Sequence, residues 1–162
     1  MTEFRGERVA EGRRFAVVAS RFNESVTAKL LAGALECFAA SGAEADGVDV
    51  AWVPGAFELP IAARRLAESG RYAAVVCVGA VIRGETRHDE IVGTQAAAGI
   101  RRVAEDTGVP VLLGVVTTED LEQARARAGG SHGNRGWDAA AAALEMASLL
   151  ERLPPPPAAP RA

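Results

Sequence analysis

The sequence is poor in the residues that staple or metallate small proteins: its 162 residues include two cysteines and two histidines. Cys37 falls in a helical pattern and Cys77 inside an apolar run, which makes neither a disulfide framework nor a metal motif. Both read as buried, reduced thiols. No run approaches the roughly 20 apolar residues of a membrane span, and the first residues lack the continuous apolar stretch of a secretory signal. The sequence therefore predicts a cytoplasmic protein with no membrane partner. An excess of one charge is missing too. With 18 basic and 21 acidic residues the net charge is −3, and their scatter leaves no footprint for nucleic acid. Neither a Walker lysine motif nor GxGxxG is present, which weakens nucleotide readings. Small molecules and other proteins remain as partners.

What is present is apolar and periodic. At 49% hydrophobic the chain can bury one core and is short for two. Short apolar runs alternate with amphipathic stretches, the pattern of βαβ units around a parallel sheet. Strands are expected at "RFAVVA", "VDVAWV", "YAAVVCVGAVI" and "VPVLLGVV". Leu30, Leu31, Ala34, Leu35 and Phe38 recur at helical spacing after an Asn23 N-cap. Further helices are expected from about Phe57 to Glu68, from His88 to before Gly108, from a Thr117 or Thr118 cap to about Arg125, and from an Asn134 cap to about Arg152. Because the strands are apolar along nearly their whole length, helices should cover both faces. The expected fold is α/β, a three-layer αβα sandwich around a four-stranded parallel sheet, flavodoxin-like. Residues 1–153 read as one domain in which 1–12 form an arm or an edge strand. The run "PPPPAAPRA", 154–162, reads as a disordered, Pro-rich tail.

In an open parallel sheet, ligands bind beyond the carboxyl ends of the strands. The junctions there are "SRFNES", "VPGAFELP", "RGETRHDE" and "VTTED". They offer rings from Phe22 and Phe57, a carboxylate from Glu58, and a Gly84-Glu85-Thr86 turn before a helix. Bare amides and the helix dipole suit an anion at that turn; equally, Gly84 makes a tight turn and Thr86 caps the helix. His88 in the next helical turn is either a proton relay or a surface histidine. His132 reads as a solvated loop residue. Arg127, Asn134 and Arg135 flank the Gly-rich loop and either reach a neighbouring chain's pocket or form a solvated basic loop.

"RFN" after the first strand, "WVPGAFELP", "GAVIRGETRH", "VPVLLGVVTTED" and "RAGGSHGNRGWDAAAAALEMA", in that order, resemble the 6,7-dimethyl-8-ribityllumazine synthase family over about residues 12 to 152. The resemblance implies a transferase of riboflavin biosynthesis. It would condense 5-amino-6-(ribitylamino)uracil with 3,4-dihydroxy-2-butanone 4-phosphate, releasing phosphate and water, with no cofactor and no metal. At matching positions, Phe22 would stack on the pyrimidine, with Asn23 and the Ala56 backbone nearby. Glu58 and the Phe57 backbone would bind the ribityl chain, and Val81 and Ile82 would line the heterocycle site. Gly84, Glu85 and Thr86 would hold the phosphate, and His88 would be catalytic, moving protons. Leu113, Arg127 and Arg135 would come from the adjacent subunit, with Arg127 gripping the phosphate.

Three positions depart from the family's pattern: Leu113 stands where phenylalanine is usual, Arg135 where lysine is, and Asp89 where an aromatic residue commonly follows the histidine. The resemblance also implies a homo-oligomer, a pentamer or an icosahedral shell of pentamers, whose N-terminal arm adds a strand to a neighbouring subunit's sheet. Two other readings carry different functions, a flavin- or lumazine-binding container that keeps the fold, and a generic phosphosugar-binding α/β domain.

Overall fold

Continuous apolar runs cannot face water on either side, and the chain answers by sealing them between two helical layers. A computed structural model describes residues 1–157. Its strands are β1 (Phe15–Ser20), β2 (Val48–Val53), β3 (Ala74–Ile82) and β4 (Val111–Thr118), all parallel, in the order β2-β1-β3-β4. Every residue of β1 is buried, and so is β3 up to Val81. The edge strands β2 and β4 are sealed only in part. The expected doubly covered sheet is what forms.

Five helices complete the layers: α1 (Glu24–Ala40), α2 (Leu59–Glu68), α3 (His88–Thr107), α4 (Leu121–Ala126) and α5 (Arg135–Arg152). α1 and α5 pack on Phe15, Val17, Ala19, Val76 and Val78. α2 and α3 pack on Ala16, Val18, Val75 and Cys77. Alternation along β1 and β3 thus sends successive side chains to opposite layers. Burying each large side chain, such as Phe38, Leu30 or Leu144, stabilises the fold by about 1.5–3 kcal/mol. Phe15 stacks on Phe38 with centroids 4.7 Å apart, joining β1 to α1. Helix contacts are close enough to require glycine, since a Cβ on Gly99 of α3 would lie 2.6 Å from Pro60 of α2.

Caps differ from expectation in two places. Asn23 stands at the N-cap of α1 but makes no capping bond; its backbone is left-handed (φ 60°, ψ 42°). The fourth helix is capped by Asp120, whose Oδ1 accepts from Gln123 N at 2.8 Å, because β4 continues through Thr118 and leaves no threonine at the helix start. Asn134 does cap α5, accepting from Gly136 N and Trp137 N, while its Nδ2 donates to Lys29 O of α1. A short antiparallel pair, β5 (Ala128–Gly130) and β6 (Gly133–Asn134), was not expected and folds the Gly-rich loop back on itself.

Residues 1–12 form no strand in this single chain. They lie along α5, with Arg152 bonded to Glu7 at 2.8 Å and to Arg5 O at 2.7 Å, and Ala10 N donating to Ser41 O. Just after them, Arg13 grips Glu151 of α5 at 2.6 and 2.8 Å. Residues 154–157 are exposed and carry no helix or strand; the remainder of the expected tail, 158–162, lies outside the described residues. Among the described residues no helix is long and apolar enough to cross a membrane.

At the amino ends of the strands, Asp49 accepts from Tyr72 Oη at 2.5 Å and from Arg14 Nη2 at 3.1 Å. These bonds hold its carboxyl below the usual carboxylate range. Stability from such a depressed group is complete above the unfolded value and is lost as pH falls through the folded one. Asp49→Asn should therefore lower Tm at neutral pH, and the gap to the parent should close as pH falls through and below the ordinary aspartate range. Melting curves of both proteins across that range check this.

Candidate functional site

Strand order reverses between β1 and β3, because β1 connects outward to β2 and β3 outward to β4. A crevice opens beyond the carboxyl ends at such a switch point. Here it is a cleft of about 680 Å³ whose walls come from three of the four junctions. The fourth, around Thr117–Asp120, does not line it.

The first wall follows β1. Phe22 is 71% exposed, an aromatic face held open by the backbone bonds Arg21 N to Val53 O and Phe22 N to Pro54 O. Asn23 turns the chain into α1. Its side chain is spent on Ala80 O of β3 at 2.9 Å, which explains both the left-handed backbone, tolerated best by Asn and Gly, and the missing cap. The bond clamps the two sides of the switch point together.

The second wall is a turn of 3-10 helix, Ala56–Glu58, running into α2 with Pro60 in its first turn. Ala56 is buried, whereas Phe57 is 58% exposed. Gly55 leaves room for the Glu58 carboxylate, since an added Cβ would lie 3.2 Å from Oε2.

The third wall follows β3. Val81 and Ile82 end the strand, and Gly84, Thr86 and His88 continue the lining into the first turn of α3, joined by Asp89, Ile91 and Val92. Gly84 has neither a left-handed φ nor a neighbour within 4 Å of an added Cβ. Thr86 Oγ1 is a weak partner for His88 N, at 3.4 Å, and Arg87 occupies the cap position without a side-chain bond. The start of the turn is fixed to β4 by Arg83 N to Thr118 O and by Arg83 to Glu119, both 2.8 Å. The Glu119 bond holds the Arg83 guanidinium above its ordinary pKa.

Of the residues singled out from the sequence, Phe22, Asn23, Ala56, Phe57, Glu58, Val81, Ile82, Gly84, Thr86 and His88 share this cleft. Glu85 lies on the turn and is exposed, outside the lining. Leu113 is an exposed residue of the edge strand β4. Arg127 Nη1 donates to Gln123 O, and Arg135 pairs with Asp138 at 3.2 Å. None of these three reaches the cleft of its own chain. His132 is exposed and bonds Ser131. The lining residues not foreseen are Gly55, Ala80, Asp89, Ile91 and Val92; the last two sit one turn on from His88, where helical spacing could have found them.

The sequence model of one family, 6,7-dimethyl-8-ribityllumazine synthase, matches residues 12–151. The chain belongs to that family. A protein of Gemmatimonas aurantiaca named 6,7-dimethyl-8-ribityllumazine synthase is 56% identical over 155 residues, which is 96% of this chain and 94% of the relative. In this member of the lumazine synthase family, three of the five motifs that carried the resemblance, those holding Phe22, Glu58 and His88, converge on the switch point.

Asn23→Ala should cost about 2–3 kcal/mol, from the left-handed backbone and a lost hydrogen bond together. Asn23→Gly should cost only the bond, about 1 kcal/mol. Urea denaturation of the two variants separates these contributions.

Proposed function

We propose that the chain is an active transferase of riboflavin biosynthesis that condenses 5-amino-6-(ribitylamino)uracil with 3,4-dihydroxy-2-butanone 4-phosphate to 6,7-dimethyl-8-ribityllumazine, with loss of phosphate and water. The observation that carries this reading is one cleft holding two exposed rings, a carboxylate, a bare glycine turn at a helix start and a histidine. Those groups answer the needs of the two substrates one by one.

Phe22 stacks on the pyrimidine, beside Asn23 and the Ala56 backbone. Glu58 accepts from ribityl hydroxyls, assisted by the Phe57 backbone, and Val81 and Ile82 border the heterocycle. Gly84, Glu85 and Thr86 hold the phosphate at the amino end of α3. His88 is the catalytic residue. An amine adds to the ketone, water leaves to give the imine, phosphate is eliminated, and the second amine closes the ring on the remaining carbonyl with loss of a second water. Each step moves a proton, and His88, on the cleft lining just after the phosphate turn, is the group to move it. No redox carrier takes part, so the remaining work is orientation.

Leu113, Arg127 and Arg135 belong to the adjacent subunit's contribution. Apolar side chains stand exposed on both edges of the sheet, Val50 and Trp52 on β2 and Leu113 on β4. Two unlike apolar edges suit head-to-tail association, which closes into rings. The assembly is a pentamer, able to form an icosahedral shell, in the cytoplasm. Residues 1–153 act as one domain whose first 12 residues reach a neighbour's sheet as an arm.

Mixing the purified chain with both substrates and following lumazine absorbance together with phosphate release tests the function. Both signals should rise together, and neither rising would overturn it. His88→Ala should cut kcat by about 100-fold or more while heterocycle affinity stays within about threefold; equal losses would sink the proton-transfer role. Arg127→Ala should raise KM for the phosphate substrate by at least about tenfold, as loss of a charge-assisted bond does, and leave affinity for the amine unchanged. Steady-state kinetics with each substrate varied in turn decides it.

A further inference from the structure

The one strand-end junction that stays off the cleft, after β4, bonds to the back of the Gly84–Thr86 turn. Lining residues alternate along that turn: Ile82, Gly84, Thr86 and His88 border the cleft, whereas Arg83, Glu85 and Arg87 do not. Among the described residues, no backbone N–H from Gly84 to Arg87 is paired with a backbone carbonyl. Bare amides suit an anion, and they leave the turn with little of its own to fix its shape. Its ties to the sheet come from Arg83, whose N donates to Thr118 O and whose Nη1 donates to Glu119 Oε2, both at 2.8 Å. Glu119 in turn stands on a braced corner. Its N donates to Gln123 Oε1 at 3.2 Å, Asp120 Oδ1 accepts from Gln123 N at 2.8 Å, and Thr118 Oγ1 donates to Asp120 O at 2.9 Å.

We propose that Glu119 is a positioning residue for the phosphate substrate: through Arg83 it anchors the Gly84–Thr86 turn to the end of β4, so that the bare amides keep one arrangement. The assignment rests on the proposed function and gives its phosphate site a support from outside the cleft. Neither side chain touches the substrate. Both lie off the lining with side chains 57% and 64% exposed, and an exposed pair contributes modestly. That scale fits a part that tunes affinity rather than one that does chemistry. Charge alone makes the opposite prediction, since removing Glu119 takes a negative charge away from a bound phosphate and frees a cation beside it. Solvent and salt screen charges as exposed as these, so the anchor outweighs the charge.

The test is steady-state kinetics of the full-length protein with Glu119→Ala, Arg83→Ala and the two combined, each substrate varied separately, alongside melting temperature. The double variant is the cleanest, because it removes the anchor and leaves the net charge unchanged. It should raise KM for the butanone phosphate about threefold, the scale of an exposed ion pair, with kcat and KM for the amine substrate unchanged. Glu119→Ala should raise the same KM, and the double variant should fall short of the product of the two single effects, because both remove one bond. Calorimetric titration of inorganic phosphate into the same proteins gives the comparison as Kd. A parent that binds phosphate without turnover would sink the proposed function and still let Kd judge the anchor, whereas a parent that binds none would remove the anchor's role as well. A lowered KM in Glu119→Ala with a parental value in the double variant would mean simple electrostatics and overturn the proposal. So would a lower Tm with KM and Kd unchanged, which would leave the pair as a tie between β3 and β4 only.

Discussion

The sealing of the central strands on both faces governs where everything else can be. With all of β1 and nearly all of β3 buried, polar chemistry has no place along the sheet and is driven to the strand ends. At the amino ends it becomes a fastening, in which Asp49, Tyr72 and Arg14 tie neighbouring strands together. At the carboxyl ends it becomes the cleft. The reversal of strand order between β1 and β3 decides which gap opens, and the bond from Asn23 to Ala80 O ties its two sides together.

The architecture was legible because the signals were long and redundant. Four apolar runs separated by helical periods allow little besides a parallel sheet covered on both faces, and Pro60, Gly108 and Asn134 marked helix ends where helices do begin or stop. Of the candidate site, the residues on three of the four strand-end junctions meet in one cleft, while Glu85, Leu113, Arg127 and Arg135 stay outside its lining. Illegible features all turned on tertiary bonds. Asn23 looked like a cap, yet its side chain reaches β3, far away in sequence. Asp120 caps α4 because β4 ran on past the point where its apolar pattern faded. Three of the five residues of the β5–β6 pair are glycines, which carry no side-chain signal for a strand.

Asp89 shows the same limit in sharper form. In the sequence it is an acidic residue in a helix's first turn, an ordinary partner for the dipole. Only the packing of α3 shields its Oδ1 from solvent, on the face that also buries Gly93 and Ala96. Conversely, Leu113, Arg127 and Arg135 occupy positions of the family's motifs while remaining remote from the cleft of their own chain. Local pattern carries the residue types, and the single chain does not bring these three to the cleft.

The two thiols give the fold a further property. Cys77 sits in the middle of β3 with its pKa pushed up to about 12 by burial, and desolvation raises Cys37 as well. Neither presents a thiolate to oxidants or electrophiles while the sandwich is closed. Any alkylating reagent must wait for the layers to part, so the modification of Cys77 becomes an internal clock that counts openings of the sheet itself.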